Sequence, residues 1–302
     1  GEAVVAAGML VWIVRKVGFG FSWPTAKRLV RYSYPLILGG IPMFALHQAD
    51  RWFVRFYGGM DGVGLYSVAY KLGTIANAVF LESFGLVWFP YIFGLKDEAA
   101  VRSICRAVMT YFAAVMCCAS LALAVFSPEI VRLMADPKFF ESHRAMPLVV
   151  GGYLCWAVYQ VASTGLYVRR RTGVLSILVG AAAVLNLALN QVLVPSMGYL
   201  GAAWATLATF GALAIATWVT AERAMHVGYE IVRVLLPVVL GGALYAASLR
   251  VPGGEGAAGI AVRSVLVLVL PILLWTCGYL RAQEKAELVS VVRSLASPLR
   301  RR

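Results

Sequence analysis

Apolar residues in this chain gather into long runs separated by short clusters of glycine, proline and charge. Eight runs are long enough to cross a bilayer as helices, at about 35–57, 65–94, 104–126, 145–168, 174–194, 200–221, 232–250 and 260–281. A run of about 20 apolar residues spans the hydrocarbon core as a helix, because a helix satisfies its own backbone groups where water is absent. Breaks between runs are expected at Gly58-Gly59 with Asp61-Gly62, Ser127-Pro128, Asp136-Pro137, Arg171-Thr172-Gly173, Pro195 and Pro252-Gly253-Gly254. Residues 3–14 form a shorter apolar run with Arg15 and Lys16 after it and nothing basic before it. That order is the reverse of a signal peptide and reads as the end of a truncated transmembrane helix. Ser22 to Tyr34 form a basic amphipathic stretch, with Ser22 as helix cap, Pro24 in the first turn and Trp23 at headgroup level. Ser127 to Phe140 is too polar to cross, and Ile130, Val131, Leu133 and Met134 predict a short surface helix. Pro35 and Pro42, with Gly39 and Gly40 between them, predict a kink in the first span.

Composition supports this pattern. Of 302 residues 61% are hydrophobic and 14% charged, against roughly 45–50% and 25% in a soluble domain. The net charge of +13 changes the picture only through its placement. Basic residues crowd alternate connections: Arg15 to Arg31, Lys96 to Arg106, Arg169 to Arg171, Arg223 and Arg233, and the tail from Arg281 to Arg302. The intervening connections mix basic and acidic residues. By the positive-inside rule the first set, and the C-terminus, are expected on the cytoplasmic side of the membrane. This distribution suits topology and anionic lipids rather than nucleic acid. Five cysteines (Cys105, Cys117, Cys118, Cys155, Cys277) lie in apolar runs without metal-ligand spacing, so free thiols and no metal are expected.

Polar residues inside spans carry the functional signal, because each ionisable group at mid-membrane costs roughly 2.5–3.5 kcal/mol on insertion scales. The first span holds His47, Gln48, Asp50 and Arg51, and the second Lys71, Asn77 and Glu82. Two readings stand for Arg51 and Lys71: they line a polar cavity and attract an anionic substrate, or they snorkel to headgroups. Glu82 lies near mid-span and either partners a cation or takes up a proton. His47 is a proton carrier or a hydrogen-bond partner of a neighbouring helix. Asn186 and Asn190 share a helix face and suit interhelical bonding or substrate contact. Trp88, Tyr91, Trp156 and Tyr159 can stack on sugar rings or anchor at the interface. The sequence contains no GxSxG, HExxH or P-loop, and no paired carboxylates for a nucleotide sugar, which argues against an enzyme and against a cofactor.

Several ordered segments then carry a resemblance. Tyr32 to Gly40 (YSYPLILGG), Ala49-Asp50-Arg51-Trp52-Phe53, Gly62 to Lys71 (GVGLYSVAYK), Trp88-Phe89-Pro90, Val184 to Pro195 (VLNLALNQVLVP) and Gly198 to Thr206 (GYLGAAWAT) succeed one another over about residues 30–215. In this order they are similar to the C-terminal half of Wzx-type polysaccharide flippases, of the multidrug/oligosaccharidyl-lipid/polysaccharide exporter superfamily. The resemblance implies an all-α polytopic membrane helix bundle: one lobe of a MATE-like two-lobe transporter plus two extra C-terminal helices. It divides the chain into a truncated helix and amphipathic linker (1–31), a six-helix transporter lobe (32–221), two additional spans (222–281) and a basic cytoplasmic tail (282–302). The implied activity is flipping of an undecaprenyl-pyrophosphate-linked oligosaccharide by alternating access, with the polyprenyl tail left in lipid. Asp50, Arg51, Lys71 and Glu82 are the implied cavity residues, followed by His47, Asn77, Trp88, Asn186 and Asn190. Implied partners are the lipid-linked oligosaccharide, membrane lipids, a polysaccharide polymerase and other pathway proteins. A single lobe is expected to be inactive alone. The alternatives are a lipid II or drug exporter of the same superfamily, a membrane-embedded polymerase or glycosyl transfer enzyme, and a non-transporting scaffold.

Overall fold

The computed structural model describes residues 2–18, 22–75, 77–250, 256–276 and 278–279. Its elements are helical throughout: α1 (Glu2–Val17), α2 (Trp23–Gly73), a π-helical turn (Asn77–Glu82), α3 (Ser83–Gly94), α4 (Glu98–Val125), α5 (Ser127–Met134), a 3₁₀ turn (Pro137–Arg144), α6 (Met146–Val168), α7 (Thr172–Met197), α8 (Tyr199–Met225), α9 (Ile231–Ser248) and α10 (Ala257–Thr276). Six of these, α4 and α6 to α10, are long and apolar enough to cross a membrane. The chain is therefore a multi-pass, all-α membrane protein.

The first two expected spans fall in α2, the π-helical turn and α3. Within α2 the one residue outside helical backbone geometry is Gly59, at φ +68° and ψ −169°. Residues 16 apart in a straight helix lie about 24 Å apart, yet the Tyr66 hydroxyl donates to Asp50 at 2.6 Å. His47 and Tyr70, 23 residues apart, also meet. Both pairs centre on positions 58–59, so α2 is a hairpin of two antiparallel arms, 23–58 and 60–73. Glycine is needed at the turn because its φ lies in the left-handed region. Backbone angles stay helical through Pro35 and Pro42, and the chain reverses at the expected Gly58-Gly59 break. The basic stretch after Ser22 is the start of the first arm, with Pro24 in its first turn.

Further on, α7 continues through Pro195 to Met197 and ends at Gly198, φ +59°. A proline near a helix end loses only one hydrogen bond, whereas the reversal itself needs the left-handed residue. A Cβ on Gly201 would lie 2.3 Å from the Leu193 carbonyl oxygen. The small-residue run Gly201-Ala202-Ala203 thus lets α8 press onto the α7 backbone. The polar stretch after Ser127 forms α5 and the 3₁₀ turn; Val131 is buried, while Leu133 and Met134 are exposed.

At the centre α6 and α8 pack together, with α7 and the α2 hairpin on one flank and α4 on the other. Outside α4 lie α9 and α10. The connector between α8 and α9 is tied down: Arg106 on α4 donates twice to the Val227 carbonyl, at 2.7 and 3.1 Å. Burial pushes the phenol of Tyr229 in this connector well above its ordinary range, so it stays a neutral hydroxyl. Cys105, Cys117, Cys118 and Cys155 are free thiols, two fully and two partly buried; Cys277 lies outside the described residues, as do the Pro252-Gly253-Gly254 break and the tail from 280 onward.

Candidate functional site

Between the hairpin, α3 and α6 lies a cavity of about 660 Å³. Each wall reaches it through one helical face. His47 and Gln48 come from the first arm of α2 and Tyr70 from the second. Glu82, Gly85, Leu86 and Phe89 succeed one another at helical spacing along the π-turn and α3, with Leu81 beside them. Tyr153, Trp156 and Gln160 do the same along α6. The π-turn sets the register that presents Glu82, and such turns recur at functional sites. Gly85 makes room for the opposite wall: a Cβ there would lie 2.8 Å from the Gln160 amide nitrogen.

The lining combines flat rings with amides and an acid. The His47 imidazole meets the Trp156 ring edge-on at 5.0 Å between centroids and the Phe210 ring at 5.5 Å. The Tyr153 hydroxyl donates to the Tyr70 hydroxyl at 2.9 Å, and Tyr70 lies 3.3 Å from His47 Nδ1. A hydroxyl has one proton to give. Tyr70 gives it to Nδ1, or instead accepts from Nδ1–H through its second lone pair, according to the imidazole tautomer. Arg51 sits beside this chain, its guanidinium 4.7 Å from the Tyr70 ring centre and bonded to Gln48 Oε1 at 2.7 Å and the His47 carbonyl at 3.1 Å.

Asp50 is elsewhere. Its side chain is fully buried behind the cavity wall, and its two oxygens accept from three elements. Tyr66 and Thr206 both donate to Oδ2 at 2.6 Å, and the Asn190 amide donates to Oδ1 at 2.7 Å. Asn190 also bonds Asn186, at 2.9 Å to its carbonyl and 3.1 Å to its amide oxygen. Asn190 Oδ1 and Asn186 Nδ2 remain buried without a partner in the structure. This polar knot ties both hairpin arms to α7 and α8. Arg51 does not join it, because consecutive helix positions point about 100° apart.

The expected site residues therefore separate into groups. His47 and Glu82 line the cavity, and Arg51 stands at its edge. Lys71 is exposed and outside the lining. Asp50, Asn186 and Asn190 form the knot. Trp88 packs in the core, where its indole donates to Thr164 at 2.9 Å and its ring stacks on Phe84. The side chain of Asn77 lies outside the described residues. Tyr70, Tyr153 and Gln160 belong to the site although the sequence did not single them out. The spacing Tyr153, Trp156, Gln160 was available as a sign of one polar-aromatic face on an otherwise apolar helix.

A family described as polysaccharide biosynthesis protein matches residues 1–143. The probable low-salt glycan biosynthesis flippase Agl15 of Haloferax volcanii is 23% identical over 213 residues, covering 68% of this chain and 45% of that protein. The match thus spans less than half of the relative's length. Taken with the ordered motifs and the helical bundle, these likenesses support a polysaccharide-biosynthesis, flippase-like membrane protein.

Proposed function

We propose that this chain forms one lobe of a flippase that moves a polyprenyl-pyrophosphate-linked oligosaccharide across the bacterial plasma membrane by alternating access. The observation that carries the reading is the cavity, whose chemistry suits a sugar better than a lipid tail. Trp156, Tyr153 and Phe89 offer ring faces for pyranose C–H surfaces, while Gln48, Gln160 and Glu82 offer donors and acceptors for hydroxyls. Arg51 at the edge, and Lys71 exposed on the second arm, are the cations proposed for the pyrophosphate. The apolar tail stays in lipid.

In this reading residues 32–221 are the lobe, 222–281 an addition, and the C-terminus is cytoplasmic. The second lobe, a polymerase and other pathway proteins are the proposed partners. Asp50 is the proposed coupling group. It is a fully buried carboxylate, and among the described residues no cation pairs with it. A proton or small monovalent cation taken up there would change the charge of the knot that joins the hairpin to α7 and α8. The flippase-named relative supports transport rather than glycosyl transfer as the proposed role.

The test is leaflet translocation by the full-length protein in proteoliposomes, comparing a pyrophosphate-linked oligosaccharide lipid with the same polyprenyl pyrophosphate lacking sugar. Selective movement of the glycosylated lipid supports the reading. Equal movement of both, or of neither by folded protein, refutes it.

A further inference from the structure

A second pair of hollows lies on the far side of the bundle, where α9 meets α4, α6 and α8. The larger, about 510 Å³, is an apolar slot bounded by Cys117 and Leu121 of α4, Leu154 of α6, Trp204 of α8 and Val238 of α9. Gly242 forms part of its floor, and a Cβ built there meets nothing within 4 Å. The smaller, about 350 Å³, is polar and basic, with His143, Arg144, Arg263, Ser127 and Ser248 in its walls. Ala124, Arg144 and Tyr245 belong to both, so the two adjoin. The whole is a long apolar slot that opens at one end onto two guanidinium groups and an imidazole.

We propose that this slot is a binding site for an anionic membrane phospholipid, with its phosphate between Arg144 and Arg263 and an acyl chain along α4 and α9. Three observations fit that occupant. An apolar slot facing lipid suits hydrocarbon, and guanidinium groups hold phosphate oxygens through charge-assisted hydrogen bonds. Both guanidinium groups are held in place by carboxylates, Arg144 through Nε to Glu141 at 3.0 Å and Arg263 through Nη1 to Glu129. A guanidinium has five donors, so each keeps N–H groups for a phosphate. Finally, Ser120 lines the slot, is 7% exposed, and its hydroxyl has no partner in the structure. It lies four residues, about 6 Å along the helix, from Ala124 at the junction of slot and basic pocket. It is a buried, unpartnered polar group in the slot wall toward its basic end. The site gives α9 and α10 a role: they close a lipid slot against the outside of the transporter lobe.

The test is native mass spectrometry of the chain purified in detergent and supplemented with phosphatidylglycerol or phosphatidylcholine. A photoactivatable acyl chain on the same lipids maps the contact. Phosphatidylglycerol is expected to be retained preferentially and to label α4 and α9 around Cys117, Leu121 and Val238. Arg144→Gln should weaken its retention about fivefold, the effect of removing one basic contact to an anionic headgroup. Gly242→Leu fills the slot from a position where a Cβ meets no neighbour, so it should abolish labelling of α4 while melting as wild type. Equal retention of the two lipids, or labelling unchanged in Gly242→Leu, overturns the proposal. Label appearing instead at the Trp156 cavity also overturns it.

Discussion

Replacing Asp50 by alanine removes the acceptor for three interhelical hydrogen bonds at once, those from Tyr66, Thr206 and Asn190. In water-soluble proteins a bond to a charged group contributes about 1.5–3 kcal/mol. Inside membranes polar interhelical contacts average about 0.6 and reach about 1.7 kcal/mol, because the unfolded helices also find partners in the bilayer. Three such bonds therefore put the cost of Asp50→Ala at about 2–5 kcal/mol. Asp50→Asn should behave differently. Its single oxygen can replace Oδ2 and still accept from Tyr66 and Thr206. Its amide would then face Asn190, whose Oδ1 is buried and unpartnered and can accept after the Asn190 amide turns over. That turn gives up the bonds from Asn190 Nδ2 to Asn186, so a loss of about 1 kcal/mol remains. Unfolding in mixed micelles, monitored by circular dichroism or steric trapping, measures both. An alanine variant less than about 1 kcal/mol below wild type, or an asparagine variant as unstable as alanine, would refute the account of the knot. If Asp50 is also the coupling group, Asp50→Asn should fold and yet lose the dependence of transport on the ion gradient.

The same geometry sets other outcomes. Gly201→Leu should be among the most damaging single changes, costing more than about 2 kcal/mol, since even a Cβ would lie 2.3 Å from the Leu193 carbonyl oxygen; thermal unfolding in detergent reads this. Gly85→Ala should disturb the cavity rather than the fold, because what it displaces is the flexible end of Gln160; melting near wild type with reduced glycolipid binding is expected. Trp88→Phe keeps the ring but strands the Thr164 hydroxyl, so about 1 kcal/mol of stability should be lost with translocation unchanged. A loss of transport at matched folded protein would instead return Trp88 to the site.

The sequence disclosed the helical architecture well, because hydrocarbon burial writes itself as run length. The six spans from α4 onward coincide with apolar runs to within a few residues. The hairpin was legible in Gly58-Gly59, where two glycines interrupt a helical pattern. Pro195 misplaced one turn by three residues, since a proline near a helix end removes one hydrogen bond without forcing a reversal, which falls at Gly198. Site residues were harder to separate. Asp50 and Arg51 are adjacent in sequence, yet one enters a buried knot and the other the cavity edge, and only the packing partners decide between those fates. Tyr66 and Thr206, which complete the knot, are residue types that also pack unremarkably in any membrane helix. Their partnership with a residue 16 or 156 positions away has no local signature.

The central claim is that the Trp156 cavity receives the glycan during flipping. The direct measurement is glycolipid translocation by full-length protein in proteoliposomes, at matched amounts of folded protein, for wild type, Trp156→Ala, Gln160→Ala and Arg51→Ala. The account predicts that all three variants lose at least about tenfold in rate, equivalent to about 1.4 kcal/mol of transport-state stabilisation. Wild-type rates in Trp156→Ala and Gln160→Ala together would contradict it, because the cavity would then not be where the sugar passes.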